Sequence, residues 1–194
     1  SKRKERMGVM RSLDEIALTY VTDKRASAHN YLEKYERYFG PRRDYAKIVL
    51  EIGVKFGKSI EVWKEYFTEA HIVGIDIDPK CKRHEGVRKS VYIGNQSDLS
   101  FLKSVMDDTG APDIIIDDGS HKGKDILASW QFLWNFLKPG GIYIIEDIST
   151  SYNWPNNTDF SDVLPGILQG LLSRKDCTIF SMEMFFNLLI IRKK

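Results

Sequence analysis

Five short apolar runs, separated by helix-length intervals, constrain this chain more than any other feature. They read as strands over Ile48–Ile52, Ile72–Asp76, Val91–Ile93, Ile114–Asp117 and Ile142–Glu146. Between them, Ser59–Tyr66, Ser100–Asp108 and Lys124–Leu137 carry apolar residues at helical spacing, and Lys80–Arg88 reads as helical or irregular. Strands that are apolar at nearly every position are buried on both faces, as parallel strands are. Strand–helix alternation with right-handed crossovers then gives a doubly wound α/β fold. Cys177–Met182 and Phe186–Arg192 are two further strand-like runs at hairpin spacing, expected to pair antiparallel. The expected architecture is a mostly parallel seven-stranded sheet with an antiparallel C-terminal hairpin. Helices are also expected over 12–20 and 28–39, capped by Ser12 and Ser27, and over Asp162–Arg174.

A chain of 194 residues fits one domain and buries roughly 70% of its unfolded surface. We expect a single domain over 1–194, with a helical cap segment over 1–40 and the α/β core over 41–194. The net charge is +2, and much of the basic excess lies in residues 1–6, which read as a solvated terminus. No broad basic face is evident, so a nucleic-acid partner is not expected. Cys81 and Cys177 are too few for a disulfide framework and lack metal-type spacing, which points to a reducing, cytoplasmic setting. No apolar run approaches ~18 residues, so membrane insertion is not expected. No apolar stripe demands self-association, and a homo-oligomer stays open.

Function is concentrated where the strands stop. Ile116-Asp117-Asp118-Gly119-Ser120-His121 ends the fourth run, and Glu146-Asp147 ends the fifth. In an open parallel sheet, ligands bind outside the carboxyl ends of the strands. Four carboxylates and an imidazole there suit a hard cation and a proton acceptor. The loop after the first strand, Glu51-Ile52-Gly53-Val54-Lys55-Phe56-Gly57-Lys58-Ser59, has glycines for a tight turn. It lacks the middle glycine of the dinucleotide pattern and the spacing of a phosphate-binding P-loop. Glu51 would repel a pyrophosphate and attract a cationic group. Asp76, about 20 residues past that turn, is placed to accept ribose hydroxyl protons. Asn95-Gln96-Ser97-Asp98 after the third strand offers polar groups for an adenine edge.

Glu-Ile-Gly-x-x-x-Gly, the acid at the second strand end and Leu137-Lys138-Pro139-Gly140-Gly141 resemble class I S-adenosylmethionine-dependent methyltransferases, a Rossmann-like fold. Asp23-Lys24 with His29, Tyr31 and Tyr35, followed by the two acidic motifs, resembles the metal-dependent sugar O-methyltransferases of macrolide biosynthesis, the mycinamicin methyltransferases among them. The resemblance runs from about residue 13 to the end. It implies metal ligation by Asp118, Glu146 and Asp147, and His121 as general base. It also implies a cofactor pocket of Glu51, Gly53, Ser59, Asp76, Gln96, Ser97 and Asp117. The N-terminal segment is short beside those of some relatives, and the segment Ser151-Tyr152-Asn153-Trp154 has its own sequence.

The chemistry expected is methyl transfer from S-adenosyl-L-methionine to a hydroxyl of a small molecule, a sugar of a natural product or glycan. A hydroxyl is too weak an acid to ionise unaided, and a divalent cation would stabilise the developing alkoxide. Carboxylate oxygens suit Mg²⁺, with Ca²⁺ or Mn²⁺ as alternatives. His121 is the side chain suited to take the proton. Alternatives are a metal-independent O-methyltransferase, an antibiotic-pathway hydroxylation or methoxylation protein of the same fold, and a non-enzymatic cofactor- or RNA-binding module. Tyr31 and Tyr35 read as packing residues, Trp130 and Trp134 as core, and His71 and His84 as surface.

Overall fold

The computed structural model describes residues 10–22, 24, 31–148, 164–169 and 178–194. Ser27, His29, Cys177 and the 149–162 segment lie outside the described residues, as does most of the expected Asp162–Arg174 helix, of which 164–169 is helical.

The chain opens with α1 (Leu13–Tyr20) and α2 (Leu32–Phe39). Ser12 caps α1 in a reciprocal box with Glu15, so the first-turn N–H groups find acceptors. There follow β1 (Ile48–Ile52), α3 (Lys58–Tyr66), β2 (His71–Asp76), β3 (Lys89–Ile93), α4 (Leu99–Thr109), β4 (Ile114–Asp117), α5 (Gly123–Phe136) and β5 (Ile142–Glu146). The hairpin β6 (Ile179–Phe185) and β7 (Leu188–Lys193) closes the described chain. The ambiguous 80–88 segment is a 3-10 helix over Pro79–His84, opened by the Asp78 side chain. The hairpin turn lies at Phe186-Asn187, later than the sequence pattern suggested, because Asn187 takes φ 64° and absorbs the reversal.

The seven strands form one sheet in the order β3-β2-β1-β4-β5-β7-β6. β1 to β5 are parallel, and β7 runs antiparallel between β5 and β6. The apolar runs of β1, β2, β4 and β5 are buried on both faces, as expected, whereas in β3, at the sheet edge, Val91 is buried and Tyr92 and Ile93 only partly. One face packs Val49, Ile72, Ile114, Ile116, Ile142 and Ile144 under α1, α2 and α3. The other packs Leu50, Ile52, Val73, Ile75, Ile115, Tyr143 and Ile145 under α4 and α5. Trp130 is buried in this second layer, and Trp134 packs half-buried beside it with ring centroids 4.4 Å apart.

The period of two along a strand now assigns the acidic side chains. Glu51 follows Val49 in alternation, and Glu146 follows Ile142 and Ile144, so both face the α1–α3 layer. Asp117 follows Ile115 and faces the α4–α5 layer. Asp118 and Asp147 lie just past their strands, on the rim.

Candidate active site

Gly53 turns the chain out of β1 with φ +94°. A Cβ there would lie 2.0 Å from the Asp118 carbonyl oxygen, so only glycine lets the β1 loop close onto the β4 loop. Asp76 at the end of β2 holds this loop in turn. Its carboxylate accepts from the backbone N–H of Val54 (2.9 Å), Lys55 (2.8 Å) and Asp78 (2.8 Å). Burial alone would raise the Asp76 carboxyl, but these backbone donors hold it below the usual carboxylate range.

Glu51 is fully buried on the other side of the turn. Its Oε2 accepts from Ser59 Oγ at 2.6 Å, from the first turn of α3. Its Oε1 has no hydrogen-bond partner among the described residues, and lies 3.7 Å from Lys24 Nζ. Burial pushes the Glu51 carboxyl up to about 7, against the pull of Lys24 and the Ser59 hydroxyl. A buried, half-satisfied carboxylate beside a glycine turn favours a cationic ligand.

Gln96 is buried, and its amide bridges two loops. Nε2 donates to Asp117 (3.1 Å), and Oε1 accepts from the Ser120 N–H (2.7 Å). Ser97 is turned back onto Asn95, its Oγ 2.9 Å from Asn95 Oδ1. Asp117 also accepts from Ser129 Oγ on α5 (2.7 Å) and Tyr143 Oη (3.3 Å). Burial lifts its carboxyl to about 6, against the hydrogen bonds from Ser129 and Gln96. Asp117 therefore anchors the β4 loop to α5 from below.

On the rim, Asp118, His121 and Asp147 each present one ligand atom, all within 4.8 Å of one another. All three are half-buried. His121 Nδ1 is buried without a hydrogen-bond partner among the described residues. His121 and Asp147 both take left-handed backbone, at φ 55° and 54°. Such residues cost roughly 1–3 kcal/mol each and concentrate where function fixes geometry. The rim carboxylates fit a divalent cation such as Mg²⁺ or Mn²⁺, and the imidazole beside them, with Nδ1 unpartnered among the described residues, fits a proton acceptor.

Glu146 sits lower, fully buried. Lys24 Nζ lies 2.7 Å from both of its oxygens and 2.7 Å from Asp118 Oδ2. The Tyr35 hydroxyl donates a short hydrogen bond to Glu146 as well. Burial opposes the charge on Lys24, but Asp118, Glu146 and Glu51 outweigh it and keep the amine protonated. Asp147 Oδ1 accepts from Tyr31 Oη (2.8 Å) and from Asn187 Nδ2 in the hairpin turn (3.1 Å).

Lys24, Ser129 and Asn187 are the partners that sequence reasoning gave no role. Ser129 and Asn187 sit at no spacing that would mark them, because each meets its carboxylate only through the tertiary fold, while Lys24 belongs to the Asp23-Lys24 pair that carries the resemblance without a role attached. Tyr31 and Tyr35 are buried packing residues as expected, and their hydroxyls orient the acids besides.

Comparison with known proteins locates this arrangement in a family. Residues 50–148 match the family model described as "Methyltransferase domain". A curated relative from Streptomyces olivaceus, 8-demethyl-8-alpha-L-rhamnosyl tetracenomycin-C 2'-O-methyltransferase, is 40% identical over 147 residues. That match covers 72% of this chain and 38% of the relative. Mycinamicin VI 2''-O-methyltransferase from Micromonospora griseorubida is 37% identical over 150 residues, 74% of this chain and 37% of that protein. The chain thus spans less than two fifths of the length of these relatives. Among solved structures, the MycE methyltransferase of the mycinamycin biosynthetic pathway, in complex with Mg, SAH and mycinamycin VI, superposes with a TM-score of 0.87 at 28% identity. The superposition covers 95% of this chain and 55% of that one. With a family model covering both acidic motifs and the glycine turn, the chain belongs to the methyltransferase-domain family.

Proposed function

We propose that this chain transfers a methyl group from S-adenosylmethionine to a hydroxyl of a sugar carried by a small natural product, with a divalent cation held by the carboxylates of the rim beside His121. The observation that carries this reading is the grouping of two rim carboxylates and an unpartnered imidazole nitrogen beside a buried, half-satisfied Glu51. The tetracenomycin and mycinamicin relatives are named for methyl transfer to sugar hydroxyls, and MycE was crystallised with Mg and SAH. Both support the same chemistry here.

Asp118, Glu146 and Asp147 are the carboxylates that would hold the ion, with Asp118 and Asp147 opening to the rim. When bound, the cation supplies Lewis-acid stabilisation to the acceptor oxygen as it loses its proton. His121 would take that proton at Nδ1, the buried nitrogen that has no hydrogen-bond partner among the described residues. Glu51 would face the positive end of the methyl donor, and Asp76, Gln96 and Ser97 would line its nucleoside side, with Gly53 giving the close approach. Asp117, tied to Ser129 and Gln96, would fix the loop that carries Asp118 and His121. Rate would come largely from holding the donor methyl and the acceptor oxygen in line.

The test is a methyl-transfer screen against rhamnosylated and other glycosylated natural products, with and without Mg²⁺, after exhaustive chelation. Transfer that needs added Mg²⁺ or Mn²⁺ is the expected result. Full activity in excess EDTA would remove the metal from the mechanism.

A further inference from the structure

Lys24 occupies a position that the proposed reaction does not explain. It lies between α1 and α2, is 2% exposed, and reaches three carboxylates from three different strand ends. Two of these, Asp118 and Glu146, belong to the set that would hold the divalent ion. The third, Glu51, belongs to the donor pocket. A buried lysine at such a point is a permanent cation placed among groups that a second cation must share. The cluster also holds two further signs that a ligand completes it, Glu51 Oε1 and His121 Nδ1, both without a hydrogen-bond partner among the described residues.

We infer that Lys24 is a positioning residue that acts as a built-in competitor for the divalent ion: it holds Asp118 and Glu146 together in the metal-free chain and weakens their grip on the metal. The inference rests on the metal-dependent reading proposed above. Its physics is charge balance. Asp118, Glu146 and Glu51 at adjacent strand ends would repel one another, and a fixed ammonium at 2.7 Å from the first two neutralises much of that repulsion. The same ammonium shares its acceptor oxygens with an incoming divalent ion and repels it directly. Hydrogen bonds from Tyr35 to Glu146 and from Ser59 to Glu51 keep those carboxylates in place whether or not the lysine is present. Loss of Lys24 should therefore unmask the cluster for the metal instead of dispersing it. In the intact chain the lysine would keep metal binding weak and confined to the rim, where an acceptor hydroxyl can reach the ion.

The test uses Lys24→Met, which keeps an unbranched side chain of similar length, and Lys24→Gln, which keeps hydrogen-bond donors but no charge. Mn²⁺ binding to the full chain is followed by electron paramagnetic resonance of the free ion, and melting temperature is read with and without Mn²⁺. Both variants should bind Mn²⁺ at least about tenfold more tightly than wild type. Both should melt lower than wild type without metal, and gain more from Mn²⁺ than wild type gains, as linkage requires of a tighter ligand. Lys24→Arg, which retains the charge, should bind Mn²⁺ within about threefold of wild type. A purely structural lysine would lower the melting temperature and leave Mn²⁺ binding unchanged or weaker, and that result in either neutral variant overturns the inference. Wild type that binds no Mn²⁺ at all would instead sink the metal-dependent reading, and the inference with it.

Discussion

Glu51 offers a quantitative test of the donor pocket, because its environment sets a pH dependence that one substitution should erase. The carboxyl is fully buried, with one oxygen on Ser59 and the other without a hydrogen bond. Burial lifts it from 4.5 to about 7. A folded-state value above the unfolded one means that the folded chain binds the proton more tightly. The resulting stability is fully present below pH 4.5 and is lost as pH rises through about 7. That gap, at about 1.4 kcal/mol per pH unit, amounts to about 3 kcal/mol. Glu51→Gln cannot ionise, so it should not lose this amount. Unfolding of ligand-free wild type and Glu51→Gln, by urea and by heat, would be compared in steps from pH 5 to pH 8. Titrations of groups outside the Lys24 cluster are common to both proteins and cancel in the difference. Part of that loss has already occurred by pH 5, so the variant should gain about 2–3 kcal/mol on wild type across this range, which for a domain of this size is a relative shift of roughly 5–10 °C in melting temperature. Stability curves that run parallel from pH 5 to pH 8 would refute the buried-carboxylate account of this pocket.

Asp118→Ala should reduce methyl transfer at least about a hundredfold while S-adenosylmethionine affinity, measured by calorimetry, changes little, since Asp118 stands on the acceptor side. Asp76→Ala should show the reverse order of effects, with donor affinity falling first; parallel loss of binding and transfer in both variants would mean that the two acids share one role. Gly53→Ala should destabilise the fold by more than about 2 kcal/mol, read as a lower urea midpoint, because φ +94° and the Asp118 carbonyl 2.0 Å from the new Cβ both oppose it. A neutral Gly53→Ala would show that the β1 and β4 loops are not in contact in solution.

The parallel strands were readable because burial on both faces leaves an unbroken apolar run, and their ends gave the acids their general location. Which acid faces which layer was readable too, from the alternation of Ile115 with Asp117 and of Ile144 with Glu146. Some partners of those acids, Gln96, Tyr31 and Tyr35, stood among the residues the sequence singled out, but others were not readable. Ser129 reaches Asp117 from nearly two turns inside α5, and Asn187 reaches Asp147 from a hairpin about forty residues away. The left-handed backbone at His121 and Asp147 is only weakly marked by residue type, since Asp and His adopt it more readily than most side chains but far less than glycine.

Lys24 follows from the topology once the strand order is known. β4 lies between β1 and β5, so Asp118 emerges between Glu51 and Glu146, and both of those point to the same face. Three carboxylates converging at neighbouring strand ends under one helical layer cannot stay ionised without a cation. Asp117 avoids this by pointing to the opposite face, where Ser129, Gln96 and Tyr143 satisfy it with neutral donors. The face that carries Glu51 and Glu146 is covered by α1, α2 and α3, and Lys24, which lies between α1 and α2 in the chain, reaches all three acids from that side. That lysine is therefore the counterpart of the strand order β1-β4-β5, and the N-terminal segment belongs to the candidate site as much as the sheet does.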